Sequence, residues 1–229
     1  MRLRSKTLFN AFLFVPVFYG FNSWAAPLTG LAAPYSPAKA VSNLTISPGL
    51  RILHQGMVSH VEISLDYGTK AGGLNSDILI REAAQLLVDY PAKYDYWEIV
   101  NLSITQSLLA AYPQLEYVTL QLDISPSDRV HYRRASTVTR WAHGAVSESW
   151  RFEMQELSIQ GRPLSVAINY SYTDAAIYPD YLDVSQQLMT YLSGASAKSM
   201  PLEKLERALA QHLLHYYAGA IAEISVQLE

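Results

Sequence analysis

The chain has 229 residues, half of them hydrophobic, and a formal net charge of −3 at pH 7. That length can bury a substantial core, and the shortage of basic residues argues against nucleic acid as a partner, since phosphate contacts carry such binding. No cysteine is present, which excludes disulfides, thiol nucleophiles and thiolate metal ligands.

Residues 1–25 read as a signal peptide. Arg2, Arg4 and Lys6 form a basic start, Leu8 to Phe21 is largely apolar, and Ser23-Trp24-Ala25 supplies small residues suited to cleavage. The apolar stretch is shorter than a membrane span and is broken by Pro16. The segment holds three of the 17 basic residues and none of the 20 acidic ones, so cleavage leaves a net charge of −6. The expected location is outside the cytoplasm, periplasmic or secreted, with no membrane attachment after cleavage. Residues 26–49, with Pro27, Pro34, Pro37 and Pro48, read as an irregular N-terminal arm.

From Val58 to Tyr67, Val61, Ile63 and Leu65 alternate with polar residues, the period of a half-buried strand. A helix is expected over Asp77 to Leu87, with Asp77 as its N-cap, and a second over Trp97 to Ala111. Strands follow at Glu116 to Ile124 and Val130 to Trp141. Further on come strands at Glu148 to Leu157 and Leu164 to Tyr172, helices at Asp180 to Leu192 and Leu202 to Tyr217, and a last strand ending at Leu228. Three Asn-x-Ser/Thr triplets begin at Asn43, Asn101 and Asn169, but Asn101 falls inside a predicted helix and the pattern is common by chance.

The order repeats. Ala92-Lys93 precedes Glu98 and a helix ending in Leu108-Leu109; Ala197-Lys198 precedes Glu203 and a helix through Leu213-Leu214, 105 positions later. Tyr67 and Asp77 are matched with Tyr170 and Asp180, at an offset of 103. Such a repeat is a subdomain duplicated in tandem, with residues 50–143 as the first unit and 144–229 as the second. Each unit reads as strands, two helices, then strands, which suits an α+β fold with an antiparallel sheet and paired helices on one face. Two units side by side can continue one sheet, and closure into a barrel would remove its edges.

Asp180-Tyr181-Leu182-Asp183-Val184, Pro201-Leu202-Glu203-Lys204-Leu205, Ala210-Gln211-His212-Leu213-Leu214 and Ile224-Ser225-Val226-Gln227-Leu228 resemble dihydroneopterin aldolase and its relatives of the tunnelling fold. The first copy resembles them through Glu98, Leu108-Leu109, Tyr112-Pro113 and the strand to Ser125-Pro126. The tandem arrangement is similar to that of urate oxidase, a two-unit member of the same fold. The resemblance implies a homo-oligomer, and a Glu at the start of the second helix that anchors a pterin or purine. A carboxylate is acceptor-only and can meet two adjacent N–H donors in one plane, and the helix N-terminus favours its charge.

Glu98 and Glu203 occupy that position. The plainer reading makes them ordinary first-turn acids. Tyr96 and Trp97 in the first copy and Tyr181 in the second are candidates to stack on a flat heterocycle, although Trp97 also fits a core role. Tyr181 matches a family tyrosine used across a subunit boundary, where the first copy has Ile78. Tyr94 is a further candidate.

The aldolase's lysine, placed before the Pro after the second helix, is missing: Ser125 precedes Pro126, and the sequence stops at Glu229 before the second matching position. A hydroxyl does not replace an amine of tunable pKa. Lys93 and Lys198 stand five residues before the glutamates and could reach in, or be solvated loop residues. His54 with His60, and His212 with His215, lack a third ligand at supporting spacing, so no metal site and no cofactor is expected. The zinc-dependent relatives need histidines and a cysteine, and the Lys/Thr/His set of urate oxidase is not placed here. Arg129, His131, Arg133, Arg134 and Arg140 could meet an anion, but alternating basic residues read more readily as an exposed strand face. The expectation is an exported protein that binds a pterin- or purine-type heterocycle without aldolase activity. The alternatives are a dihydroneopterin aldolase/epimerase-type enzyme and a non-catalytic assembly or interaction module.

Overall fold

The computed structural model describes residues 41–70, 74–92, 94–173 and 177–229. The expected signal peptide, most of the N-terminal arm and Lys93 lie outside these residues. The described chain forms one seven-stranded sheet whose strands neighbour one another in chain order, every pair antiparallel. The elements are β1 (Val41–His54), β2 (Met57–Thr69), α1 (Ser76–Val88), α2 (Trp97–Ala111), β3 (Leu115–Ile124) and β4 (Tyr132–Trp141). They continue with β5 (Val146–Ile159), β6 (Arg162–Tyr172), α3 (Tyr181–Ser193), α4 (Ala195–Ser199), α5 (Leu202–Tyr216) and β7 (Ile221–Leu228). No described helix is long and apolar enough to cross a membrane.

The sheet gives each repeat its core. Val61, Ile63, Leu65 and Tyr67 of β2 alternate toward the helices and pair across β3 with Ile124, Leu122, Leu120 and Val118, all buried. Leu79, Ala83 and Leu87 of α1 and Val100, Ile104 and Leu108 of α2 close over them at helical spacing. In the second repeat Val166, Ile168 and Tyr170 pair with Leu228, Val226 and Ile224 under Leu188, Leu205, Leu209 and Leu213. This is the α+β arrangement expected, two helix-backed units on a continuous antiparallel sheet. β4 and β5 join them through a tight turn in which the Trp141 and Ala145 backbones bond and Gly144 takes φ +98°.

Three expectations need correction. The last part of the arm, from Val41, is not irregular but the start of β1, because its backbone finds a partner in β2 across two register shifts. The first helix is capped not by Asp77 but by Asn75, whose side chain accepts from the Asp77 and Ile78 N–H groups at 2.9 and 3.4 Å. Asp180 does cap α3, accepting from Leu182 N–H at 2.8 Å.

The match of Asp77 with Asp180 is the third. The caps are Asn75 and Asp180, 105 apart, so Ser76 rather than Ile78 corresponds to Tyr181. Tyr67 and Tyr170 do correspond at the offset of 103: Tyr67 pairs with Val118 and Tyr170 with Ile224, and two residues on both ladders shift register, at Thr69 with Leu115 and at Tyr172 with Ile221. The second repeat thus carries two more residues between its strand and its helix cap.

Candidate functional site

Where the repeats meet, the helix-covered face of the sheet changes character. On β4 the inward positions Tyr132, Arg134, Ser136, Val138 and Arg140 face, on β5, Met154, Phe152, Trp150, Glu148 and Val146. Three polar or charged side chains of β4 thus point into the register that is apolar elsewhere. The basic run read as one exposed strand face is split by the pleat. Arg133 pairs with Asp123 on the open face at 2.8 and 2.9 Å, whereas Arg134, one residue on, is only 3% exposed.

Glu98 stands in the first turn of α2 and is 1% exposed. Its Oε1 accepts from Tyr172 of β6 at 2.8 Å, a bond between the first repeat and the second. Its Oε2 is buried and accepts from no group among the described residues. Burial pushes the carboxyl pKa up, while its own backbone N–H and the Tyr172 hydroxyl pull it down; Glu148 raises it and Arg134 lowers it. Among these causes desolvation is the largest.

The surrounding groups are tied to one another. Arg134 lies over the Tyr181 ring with Cζ 4.2 Å from its centroid, and 5.8 Å from that of Tyr132. The Arg134 Nε and Nη1 are buried without an acceptor among the described residues. Tyr181 also lies nearly parallel to Trp150, centroids 6.2 Å apart, and donates to Gln55 Oε1 at 2.9 Å. Glu148 accepts from Tyr178 at 3.0 Å; its pKa is raised by burial against the lowering effects of Tyr178 and Arg140. Tyr172 meets Tyr178 edge to face at 5.0 Å and Tyr170 at 5.6 Å. Desolvation drives the Tyr172 and Tyr170 hydroxyls far above their ordinary value, so both stay protonated, and Tyr132 is pushed up to about 12.

Asn101 pins α2 to this face. Its Nδ2 donates to the Leu120 and Ser136 carbonyl oxygens, both at 3.0 Å, so it is a structural core residue and not an accessible glycan acceptor.

The structure therefore joins two of the residues singled out in the sequence, Glu98 and Tyr181, through Arg134. It does not bring Glu203 to them. Glu203 is exposed in the first turn of α5, with Arg207 Nε near its backbone carbonyl at 3.5 Å. Trp97 is fully buried with its ring 4.0 Å from that of His54, so it packs the core beneath the α1–α2 loop and offers no face to a ligand. Tyr96 is partly exposed beside Tyr178, centroids 6.3 Å apart, and Tyr94 projects into solvent. No group of three or more His, Asp or Glu among the described residues could hold a metal ion.

Sequence reading missed Arg134, Glu148, Tyr172 and Gln55. A cation at an inward strand position, between Tyr132 and Val138 in the period of two, is a signal for the first. A second is the dipeptide Gln55-Gly56, which returns as Gln160-Gly161 at the same offset of 105. Both pairs turn hairpins, with φ of 49° and 73° in one and 54° and 75° in the other.

No family model matches the sequence, and no curated protein sequence matches it. Solved structures do. The urate oxidase of Bacillus sp. TB-90 is similar over 84% of this chain and 87% of its own, at 11% identity and a TM-score of 0.59. A uricase from Bacillus fastidious is similar over 85% of this chain and 88% of its own, at 13% identity and a TM-score of 0.56. The fold is thus two tandem tunnelling-fold units, an antiparallel sheet with paired helices on one face.

Proposed function

We propose that this chain is an exported tunnelling-fold protein that binds a purine- or pterin-type heterocycle between its two repeats, without aldolase activity. One observation carries the reading: among the described residues, Glu98 is sealed at a helix start with Oε2 unpartnered, and Arg134, which acts on its charge, has Nε and Nη1 buried without an acceptor. Leaving such groups unpaired in a protein interior costs about 1–3 kcal/mol each, and a planar heterocycle with N–H donors on one edge and an oxo group on another would satisfy both. The Tyr172 hydroxyl holds the place of one donor, and a ligand enters as that ring turns aside with Tyr178. Tyr181 and Trp150 supply aromatic faces.

The same site supports binding rather than aldol cleavage. On the resemblance read from the sequence, Ser125 takes the place of the aldolase's lysine, and its backbone N–H donates to the His60 carbonyl at 3.0 Å. Among the described residues the cluster holds no amine. Export rests on the tripartite start of the sequence, and N-terminal sequencing of the secreted protein should begin at Ala26. Assembly into a homo-oligomer is supported by the edge positions of β1 and β7 in the described sheet.

The test is calorimetric titration with neopterin, dihydroneopterin, guanine and urate, repeated on Glu98→Gln. Saturable heat with at least one compound is expected, weakened about tenfold or more in the variant, as for a lost charged hydrogen bond. Heat from none of the four would leave the Glu98–Tyr172 bond as an interlock between repeats and favour an assembly module. Turnover of dihydroneopterin would favour the enzyme.

A further inference from the structure

A cavity of about 590 Å³ lies beside the β5–β6 hairpin, against the C-terminal end of α3. The hairpin and the loop it clamps differ between the repeats. In the first repeat Trp97 lies on His54 at 4.0 Å, and the Tyr90 hydroxyl donates to Asp95 at 2.7 Å. At the offset of 105, Leu202, Ile159, Ala195 and Met200 stand in place of Trp97, His54, Tyr90 and Asp95.

The frame around that space is kept. Gln55 Nε2 donates to the Asp95 carbonyl at 3.4 Å, and Gln160 Nε2 donates to the Met200 carbonyl at 2.6 Å and the Ala197 carbonyl at 2.9 Å. Of the four replacements only Ile159 lines the cavity, so the second repeat has an alkyl side chain there where the first has the His54 ring.

Two groups give the cavity chemical character. Gln55 Oε1 accepts a phenol, that of Tyr181, at 2.9 Å. Gln160 Oε1 receives no donor among the described residues, although the turn that presents it has the same left-handed conformation. Lys198 lines the cavity and has no acidic partner among the described residues. The remaining wall includes Leu157, Met189 and Leu192, and the thioether of Met189 suits an aromatic ring. The volume lies in the range of about 300–1,000 Å³ typical of small-molecule sites.

We propose that this cavity binds a small aromatic hydroxy acid. Its carboxylate meets Lys198, its ring lies against Leu157, Met189 and Leu192, and its hydroxyl donates to Gln160 Oε1, as Tyr181 does to Gln55. The site is separate from the Glu98 seam and does not depend on it.

The experiment titrates the full chain with para-hydroxyphenylacetate, phenylacetate and para-cresol, following heat and sedimentation together. Saturable binding of the hydroxy acid is expected, with each of the other two weaker by about three- to tenfold, the size of one lost hydrogen bond. Lys198→Gln should weaken both acids about tenfold and leave para-cresol unchanged. Ser193→Phe, which fills the cavity from its rim, should abolish binding of all three while circular dichroism stays that of the parent. Absence of saturable binding to the parent overturns the proposal. So does undiminished binding in a folded Ser193→Phe variant, or a change in that variant's sedimentation alone, which would make the cavity an interface between copies. Should Ser193→Phe misfold, the Lys198→Gln contrast between acids and para-cresol decides by itself, and its absence overturns the proposal.

Discussion

Glu98 and Glu203 hold the same register at the starts of α2 and α5, yet one is sealed between repeats and the other faces solvent. Their neighbours make the difference. Beyond β4 the sheet continues into β5 and β6, so Tyr172 and Tyr178 can close over Glu98; β7 ends the described sheet, and no further repeat lies over Glu203. The hairpin glutamines show the same contrast: both clamp the loop before a second helix, but only Gln55 receives a tyrosine from the adjoining repeat. Both units keep the hairpin turn, the capped helix and the alternating strands. What differs is whatever a unit needs at a junction.

The widest gap is expected in the cores under the two hairpins. Trp97→Ala removes a fully buried ring and should cost about 3–5 kcal/mol in denaturant unfolding. Leu202→Ala, at the matching but half-buried position, should cost about 1–2 kcal/mol. Equal losses would mean that the second hairpin is packed as tightly as the first, against the cavity beside it.

A smaller gap separates two tyrosines near the ends of β2 and β6, Tyr67 and Tyr172. Tyr172→Phe withdraws the side-chain donor to Glu98 Oε1 and leaves both oxygens of a buried carboxyl without one among the described residues, a loss of about 1–3 kcal/mol at neutral pH. Tyr67, also buried, makes no side-chain hydrogen bond among the described residues, so Tyr67→Phe should shift stability by less than about 0.5 kcal/mol. A double variant Tyr172→Phe with Glu98→Leu should lose less than the two singles together, since replacing both partners by apolar groups removes the unpaired charge. Additive losses would sever the link between repeats that the hydrogen bond implies.

The alternation of Val61, Ile63 and Leu65, the helix beginning at Trp97 and the return of Glu98 as Glu203 made the two-unit architecture readable, because those features are local and periodic. The site was half readable. Glu98 and Tyr181 were picked out by position, but their partner Arg134 was assigned to an exposed face, because its neighbours Arg133 and His131 suggested a continuous basic strand. Which of two adjacent arginines turns inward depends on register, and register is fixed by the pairing of Ile124 with Arg134, a long-range fact. Tyr172 was hidden for another reason: its sequence distance from Glu98 spans three strands, and the residue at its register in the first repeat is Thr69, so the repeat does not point to it. Glu203 keeps its place in the fold without keeping the surroundings of Glu98, a difference that its own sequence does not carry.

The last contrast is in pH. Burial raises the Glu98 pKa in the folded chain above the ordinary carboxyl value of 4.5. A folded-state pKa above the unfolded one means that the native protein binds the proton more tightly, so the associated stability is complete below the ordinary value. It is lost as pH rises through the raised value, where the carboxyl must ionise without water around it. Glu98→Gln keeps an oxygen for Tyr172 and cannot ionise. Its stability relative to the parent should therefore grow as pH increases from about 4.5 and level off once Glu98 is charged. The gain should be smaller than the loss from Tyr172→Phe, because the Glu98 backbone N–H and Arg134 already offset part of the burial cost. Glu203→Gln, at the exposed match, should stay within about 0.5 kcal/mol of the parent across the same range. Urea unfolding of the three proteins at several pH values between acid and neutral separates the cases. A stability gap between the parent and Glu98→Gln that stays flat with pH would mean that Glu98 titrates as it does in the unfolded chain, and that the seam between the repeats is open to water.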